Sequence, residues 1–181
     1  MARWHPTFNP AHLYFVTTGC FRQYHLFNRD ITKRLIVDTL DCMRLRKRFK
    51  LYAFVVMPNH VHLIVQCREA DPLGDAVRDF KKHVADRLLR DYRRRGNHAA
   101  LKRLHLKDRK GCKVWEASYD AKDVFTPEFL RQKMTYIHNN PLQPRWHLVE
   151  SAEGYLWSSA CYYLLGRSAI IPIDNASLLL Y

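Results

Sequence analysis

Leu51-Tyr-Ala-Phe-Val-Val-Met57, then Pro58-Asn59, then His60-Val-His-Leu-Ile-Val-Gln66 is the stretch on which the reading of this chain turns. Two runs of apolar, β-branched and aromatic residues flank a proline–asparagine break, the pattern of two strands joined by a tight turn. In the second run a period of two sets His60, His62, Ile64 and Gln66 on one face, with Val61 on the opposite, core-facing side. The stretch therefore predicts an antiparallel hairpin with two histidines side by side.

The flanking sequence supplies the rest of a sheet. Upstream, His12-Leu-Tyr-Phe-Val-Thr-Thr18 ends at Gly19 and reads as another strand. Residues 30–48 read as a helix with Asp30 as candidate N-cap. Ile31, Leu35, Val37, Leu40 and Met43 follow at helical spacing, and Arg44, Arg46, Lys47 and Arg48 crowd the end where the helix dipole favours cations. Downstream, 73–95 reads as a second helix with an apolar stripe of Leu73, Val77, Phe80, Val84, Leu88 and Leu89. Lys81, Lys82, Arg87, Arg90, Arg93, Arg94 and Arg95 decorate it. Residues 96–111 read as a basic loop or insertion, and Cys112-Lys-Val-Trp115 as a short strand. Thr126-Pro127-Glu128 is a helix start with a capping hydroxyl, proline at the first position and an acid at the positive dipole end. That helix runs to about Asn140 and stops at Pro141. Residues 157–165 read as a last short helix.

The order strand, helix, strand, strand, helix, strand, helix predicts an α+β fold. It is a ferredoxin-like or RRM-like antiparallel sheet with helices on one face and the other face free for a site. A C-terminal helical extension follows. The length of 181 residues suits one domain, 1–181, with its core at about 12–146 and the extension at about 147–181.

Composition narrows the function. Thirty Lys and Arg against seventeen Asp and Glu give a formal charge of +13, which points to a polyanion, nucleic acid or an anionic membrane surface. No apolar run approaches a membrane span, and the first residues lack the apolar stretch of a signal peptide. The expected compartment is the cytoplasm. Five scattered cysteines without a Cys-x-x-Cys pair exclude a zinc ribbon and read as reduced, mostly core thiols.

Two constellations bear chemistry. Imidazoles at His60 and His62 project to one side of a strand and can reach one ion at about 2.0–2.1 Å. Alone, such a pair is more often an ordinary surface or core pair than a ligand pair. A histidine-triad hydrolase would need a third histidine where Ile64 stands. A zinc hydrolase would need further ligands, for which His83, His98, His105 and Asp120 are the candidates. On the later helix, Tyr136 and Asn140 are four residues apart and share a face, so a phenol and an amide oxygen address one place. A free tyrosine has a pKa of about 10, and a nearby divalent cation would help it act as a nucleophile. Alone, these two read better as a core tyrosine and an asparagine closing the helix.

Taken together, Pro58-Asn59-His60-Val61-His62 and Tyr136-Ile-His-Asn-Asn140-Pro141 resemble the paired signatures of single-tyrosine HUH transposases. Trp157-Ser158-Ser159 resembles the REP-associated tyrosine transposase branch, and the likeness runs from about His12 to about Leu165. The resemblance implies that His60 and His62 bind Mg²⁺ or Mn²⁺ with Asn140 as third ligand. It implies that Tyr136 attacks a DNA phosphate, leaving a 5′-phosphotyrosine link and a free 3′-OH, and that Phe80-Lys81-Lys82 belongs to a basic helix against DNA. The implied partner is single-stranded DNA containing a hairpin, the implied location the nucleoid, and the implied state a monomer or a homodimer. The chain departs from the family in its long basic stretch before Trp115, and in Ala121, which stands where a histidine is common. Among the aromatics, Tyr92, Trp115 and Tyr119 are candidates for stacking on bases. Two other readings share these residues: a non-catalytic nucleic-acid binder of the same fold, and a phosphodiesterase in which water attacks.

Overall fold

The computed structural model describes residues 8–106 and 111–176. The expected loop at 107–110 lies outside the described residues. Four strands form one antiparallel sheet: β1 (Leu13–Gly19), β2 (Phe49–Val56), β3 (His60–Cys67) and β4 (Asp120–Val124), in the order β2-β3-β1-β4. Helices α1 (Asp30–Leu45) and α2 (Leu73–Arg94) are the crossovers of the two split β-α-β units. Both cover one face. Val16, Leu63 and Val65 of the sheet meet Leu73, Ala76, Val77 and Phe80 of α2 there, while α1 packs on α2 and β2. Strand alternation sends Phe15, Thr17, His60 and His62 to the opposite face. That face is not bare: α4 (Pro127–Asn139) lies across its β2–β3 half.

Local chemistry explains the ends of the elements. The Thr126 hydroxyl accepts from the Phe129 amide at 3.2 Å, and Pro127 and Glu128 occupy the first turn, as the sequence predicts. Asp30 is not the N-cap of α1. Arg29 holds that place, and Asp30 sits inside the first turn, paired with Lys33 at 3.2 Å.

Two expectations fail on the far side of α2. The stretch at 96–111 contains a helix, α3 (His98–Leu104). Gly96, at φ 62°, ends α2 in the left-handed conformation, and Asn97 caps α3 by accepting from the Ala100 amide at 3.1 Å. The glycine and asparagine thus punctuate two helices instead of opening a loop. Residues 112–115 make only isolated bridges, His105 with Cys112 and Cys20 with Trp115. The fourth strand is Asp-Ala-Lys-Asp-Val at 120–124, whose charges hide it from a search for apolar runs.

The C-terminal extension binds the outer edge of β2. Val56 donates its amide to the Trp157 carbonyl at 2.9 Å and Ser159 donates to Phe54 at 3.0 Å. The Leu51 amide donates to the Asp174 carboxylate at 2.9 Å. α5 (Ala160–Leu165) follows, and its Tyr163 hydroxyl donates to the Tyr52 carbonyl at 2.7 Å. One buried cluster runs from Leu13 to Ala176, so the extension shares the core of the sheet. All five cysteines are free thiols, of which Cys20 and Cys67 are buried. No helix among the described residues is long and apolar enough to cross a membrane.

The fully buried Ser159 hydroxyl accepts from the Phe54 amide at 3.0 Å and lies 3.0 Å from His138 Nε2. Ser159→Ala strips both groups of that partner and is expected to lower the unfolding free energy by about 1–3 kcal/mol. The measurement is a fall in the urea midpoint at unchanged m-value.

Candidate active site

The register of β1 against β3 sets Gly19 opposite His60 and Thr17 opposite His62. The two imidazole centroids stand 4.6 Å apart. Each ring is held by its Nδ1 atom. Asn59 spends its amide hydrogens on Gln23, at 3.0 Å to Oε1, so its Oδ1 is left to accept from His60 Nδ1–H at 2.6 Å. This hydrogen bond puts the proton on Nδ1 and leaves the lone pair on Nε2. His62 Nδ1 lies 2.8 Å from the Thr17 hydroxyl, and its buried Nε2 has no partner among the described residues. Burial, with Arg145 adding repulsion, pulls the His60 pKa down to about 4. Burial, then His60, Arg145 and Lys133, holds His62 well below the usual imidazole range. Both rings are therefore neutral at pH 7, the form that ligates a metal.

α4 brings the second half of the site. The Tyr136 ring meets His62 edge-on at 5.2 Å. Phe15 stacks on His62 at 5.4 Å and touches Tyr136 edge-on at 5.9 Å, so one apolar ring orients both. Tyr136 is 39% exposed, open enough for a phosphodiester to approach. Asn140 keeps helical dihedrals past the end of α4, at φ −57° and ψ −42°, and begins a 3-10 turn at Asn140–Leu142. It thereby stays one turn beyond Tyr136 on the same face. Its side chain is fully buried beside His60, close enough to counter part of the fall in that ring's pKa, and neither amide atom makes a hydrogen bond of ordinary geometry among the described residues. Each such orphan costs roughly 1–3 kcal/mol. Two of these atoms, His62 Nε2 and Asn140 Oδ1, carry lone pairs that a bound cation would satisfy. Two imidazole nitrogens and an amide oxygen suit a divalent cation. Among the described residues no third His, Cys, Asp or Glu joins the pair, which leaves His83, His98, His105 and Asp120 outside.

Two cations that the sequence alone does not single out flank the cluster. Lys133, one turn before Tyr136, places Nζ over the rings of Phe129, Phe15 and Tyr136 at 4.8, 5.2 and 5.9 Å. Arg145 lies over Trp146 at 5.6 Å. Neither forms an ion pair among the described residues, and both repel a proton from His62. Thr17, Gln23 and Phe15 also escape a motif search, because what matters in them is a contact across strands or turns; Asn59 stands in the motif, but its part in holding His60 does not show there. The basic face of α2 is elsewhere. Lys82, Arg87, Arg90, Arg93, Arg94 and Arg95 are exposed on the side of the sheet away from the histidines. Arg94 and Arg95 pair with Asp91. Lys81 behaves differently from these neighbours. Its Nζ donates to the Glu116 carbonyl at 2.8 Å and binds α2 to the segment before β4. Trp115 is core, packed on Phe27 and Phe80 with its indole donating to the Lys81 carbonyl at 2.9 Å. Tyr92 is also buried, and Tyr119 half-buried.

The family model described as IS200-like transposase matches residues 10–140, a span that includes both histidines, Tyr136 and Asn140. The chain belongs to the IS200-like transposase family. A solved structure bears out the fold of this transposase family member. A REP-associated tyrosine transposase bound to a REP hairpin aligns over 98% of this chain and 94% of its own, with a TM-score of 0.67 at 17% identity. A Deinococcus radiodurans protein described as a transposase aligns over 77% of this chain and 95% of its own, with a TM-score of 0.47 at 19% identity. No curated protein matches the chain.

Burial lowers the pKa of His138 to about 4 as well. A histidine whose folded pKa lies below its unfolded value of about 6.5 contributes stability that is complete above that value and is lost as pH falls. In this transposase His60 and His138 resist protonation down to about pH 4. Unfolding free energy is expected to decrease by roughly 1.4 kcal/mol per pH unit per histidine between about pH 6.5 and 5. Urea titrations over that range check it; equal stability at both ends would mean that these rings take up protons as readily folded as unfolded.

Proposed function

We propose that the protein nicks and rejoins single-stranded DNA through a 5′-phosphotyrosine intermediate, with Tyr136 as nucleophile. His60, His62 and Asn140 would hold Mg²⁺ or Mn²⁺. The observation that supports this reading is the convergence of unpaired buried atoms, His62 Nε2 and the Asn140 amide, beside an exposed phenol. A hydrolase that uses water has no need of that phenol. The solved relative is bound to a REP hairpin, and a hairpin-containing single strand is the substrate class proposed here. The protein would meet it in the nucleoid.

When bound, the cation would supply positive charge to a phosphate oxygen and help the phenol to lose its proton. The chain's own groups do the remaining work. Thr17 and Asn59 fix the imidazoles with Nε2 facing the site. Phe15 holds the phenol beside them. Lys133 and Arg145, without carboxylate partners, attract the phosphodiester. The Tyr136 oxygen bonds to phosphorus, its proton leaves to solvent, and the P–O3′ bond breaks with the 3′ oxygen taking up a proton. The reverse attack by the 3′-OH reseals the strand and frees the tyrosine, so no nucleotide cofactor is consumed. All these groups come from one chain, so the reading requires no exchange of helices between protomers. The arginines of α2 would hold backbone phosphates on the other side of the sheet.

The test is incubation with Mn²⁺ and a hairpin oligonucleotide bearing a single-stranded flank, followed by denaturing electrophoresis. Wild type is expected to yield a protein–DNA adduct and Tyr136→Phe none. Cleavage without any adduct would instead mean that water attacks, and unimpaired cleavage by His60→Ala would remove the metal assignment. Thr17→Val, which deletes the partner of His62 Nδ1, is expected to weaken Mn²⁺ binding about 10–100-fold, as titrated by electron paramagnetic resonance. Lys133→Gln is expected to reduce the slope of log affinity against log salt by about one contact's worth, measured by fluorescence anisotropy.

A further inference from the structure

We propose that the cavity between the turn after β1 and helix α3 is a binding pocket for one unpaired nucleobase of the DNA strand, an inference that rests on the strand-transfer reading of the site. The cavity measures about 460 Å³, within the range of small-ligand pockets. Gln23, Tyr24, His25, Tyr92, Arg103 and Leu104 line it. The Arg103 guanidinium lies 5.0 Å over the Tyr24 ring. Aromatic faces and guanidinium planes are the surfaces on which unpaired bases stack. Arg103 and Tyr24 supply both kinds, one on α3 and one on the turn. Polar groups stand at the rim. Gln23 directs Oε1 to Asn59, so its Nε2 hydrogens remain for a base edge. The exposed His25 ring adds a second partner.

The backbone beneath the pocket is unusual. Arg22 and Gln23 are consecutive non-glycine residues in the left-handed region, at φ 53° and 56°. Such strain persists where surrounding structure enforces it, and it concentrates at functional sites. Here the turn is pinned by Cys20 donating to the Asn59 carbonyl at 2.7 Å and Phe27 donating to the Pro58 carbonyl at 2.9 Å. Both anchors are residues of the β2–β3 turn, so the pocket is fastened to the segment that leads into His60.

Position supports the same occupant. His25 touches Trp146 at 5.5 Å between centroids, and Trp146 touches His60 at 5.8 Å. The pocket is thus joined to the histidine pair through Trp146, on the route that a strand with its phosphate at Tyr136 would follow with its flank. The groove between α1 and α2 is larger, and its lining includes Arg34, Arg87 and Arg90, yet it contains no phenylalanine, tyrosine or tryptophan. That groove suits phosphates, not bases.

The test uses hairpin oligonucleotides with 2-aminopurine placed at one flank position at a time, bound to full-length protein in the Tyr136→Phe background so that no strand is cut. One position is expected to show strong quenching. Tyr24→Leu removes the stacking face, and Ala100→Trp fills the cavity from the half-exposed side of α3. Either change should restore fluorescence at that position and weaken binding of the flanked hairpin about tenfold, with an unflanked hairpin unaffected. Thermal melting shows whether Tyr24→Leu is folded; if it is not, Ala100→Trp decides. If no position is quenched, or if quenching and affinity survive in the folded variants, the pocket proposal falls while a wild-type adduct keeps the strand-transfer reading in place. If wild type neither binds these oligonucleotides nor forms an adduct, both fall.

Discussion

Thr17 stands opposite His62 because β1 and β3 pair in a single register, and the site follows from that pairing. A slip of one residue would turn His60 and His62 into the apolar layer under α2 and bring Val61 and Leu63 to the other face. The slip is forbidden by what it would bury: two imidazoles without partners among Phe80, Val77 and Leu73, at several kcal/mol of desolvation cost. The hydrophobic layer on one face therefore fixes the chemistry on the other. It does so before any ligand is present, which is why Thr17 and Asn59 already hold both rings with one nitrogen turned inward.

The sheet was legible to the extent that its strands are apolar. β1, β2 and β3 announce themselves through β-branched and aromatic runs, and α4 through Thr126, Pro127 and Glu128. β4 does not, because an edge strand with one solvent-facing side tolerates Asp120, Lys122 and Asp123, and its pairing with β1 is a long-range event. α3 was obscured for a different reason: Gly96 and Asn97 signal a break, and a break between two helices looks like the start of a loop. At the site, the histidines, Tyr136 and Asn140 are readable as a motif. The residues that orient them are not, since Gln23, Asn59 and Thr17 come together only through the turn after β1 and the strand register. Lys133 and Arg145 are two among thirty basic residues until the fold puts them on opposite flanks of the same rings.

Charge on this protein divides between two sides of one sheet. Beneath α2 lies packed hydrocarbon, and its outer surface presents arginines to solvent, a broad and sequence-indifferent attraction for phosphate. On the other side Lys133 and Arg145 form no ion pair among the described residues and lie over aromatic rings, where their charge is less screened. Lys81 shows that membership in a basic cluster is not evidence of a surface role. Its ammonium is half-buried against backbone carbonyls, and burial lowers its pKa. On the proposed reading, a strand held on α2 and cut at Tyr136 would pass around an edge of the sheet, which would couple the two surfaces.

Residues 157–174 run along the outer edge of β2, with Trp157, Ser159 and Asp174 satisfying backbone groups that an edge strand leaves open. Among the described residues no segment does the same for β4. Among the described residues the sheet is thus sealed against growth on one border and open on the other, which gives it a polarity. Any strand that joined it, from this chain or another, would have to enter beside β4. Asp120, Lys122 and Asp123 stand at that border as the kind of charge that keeps exposed edges from sticking to one another.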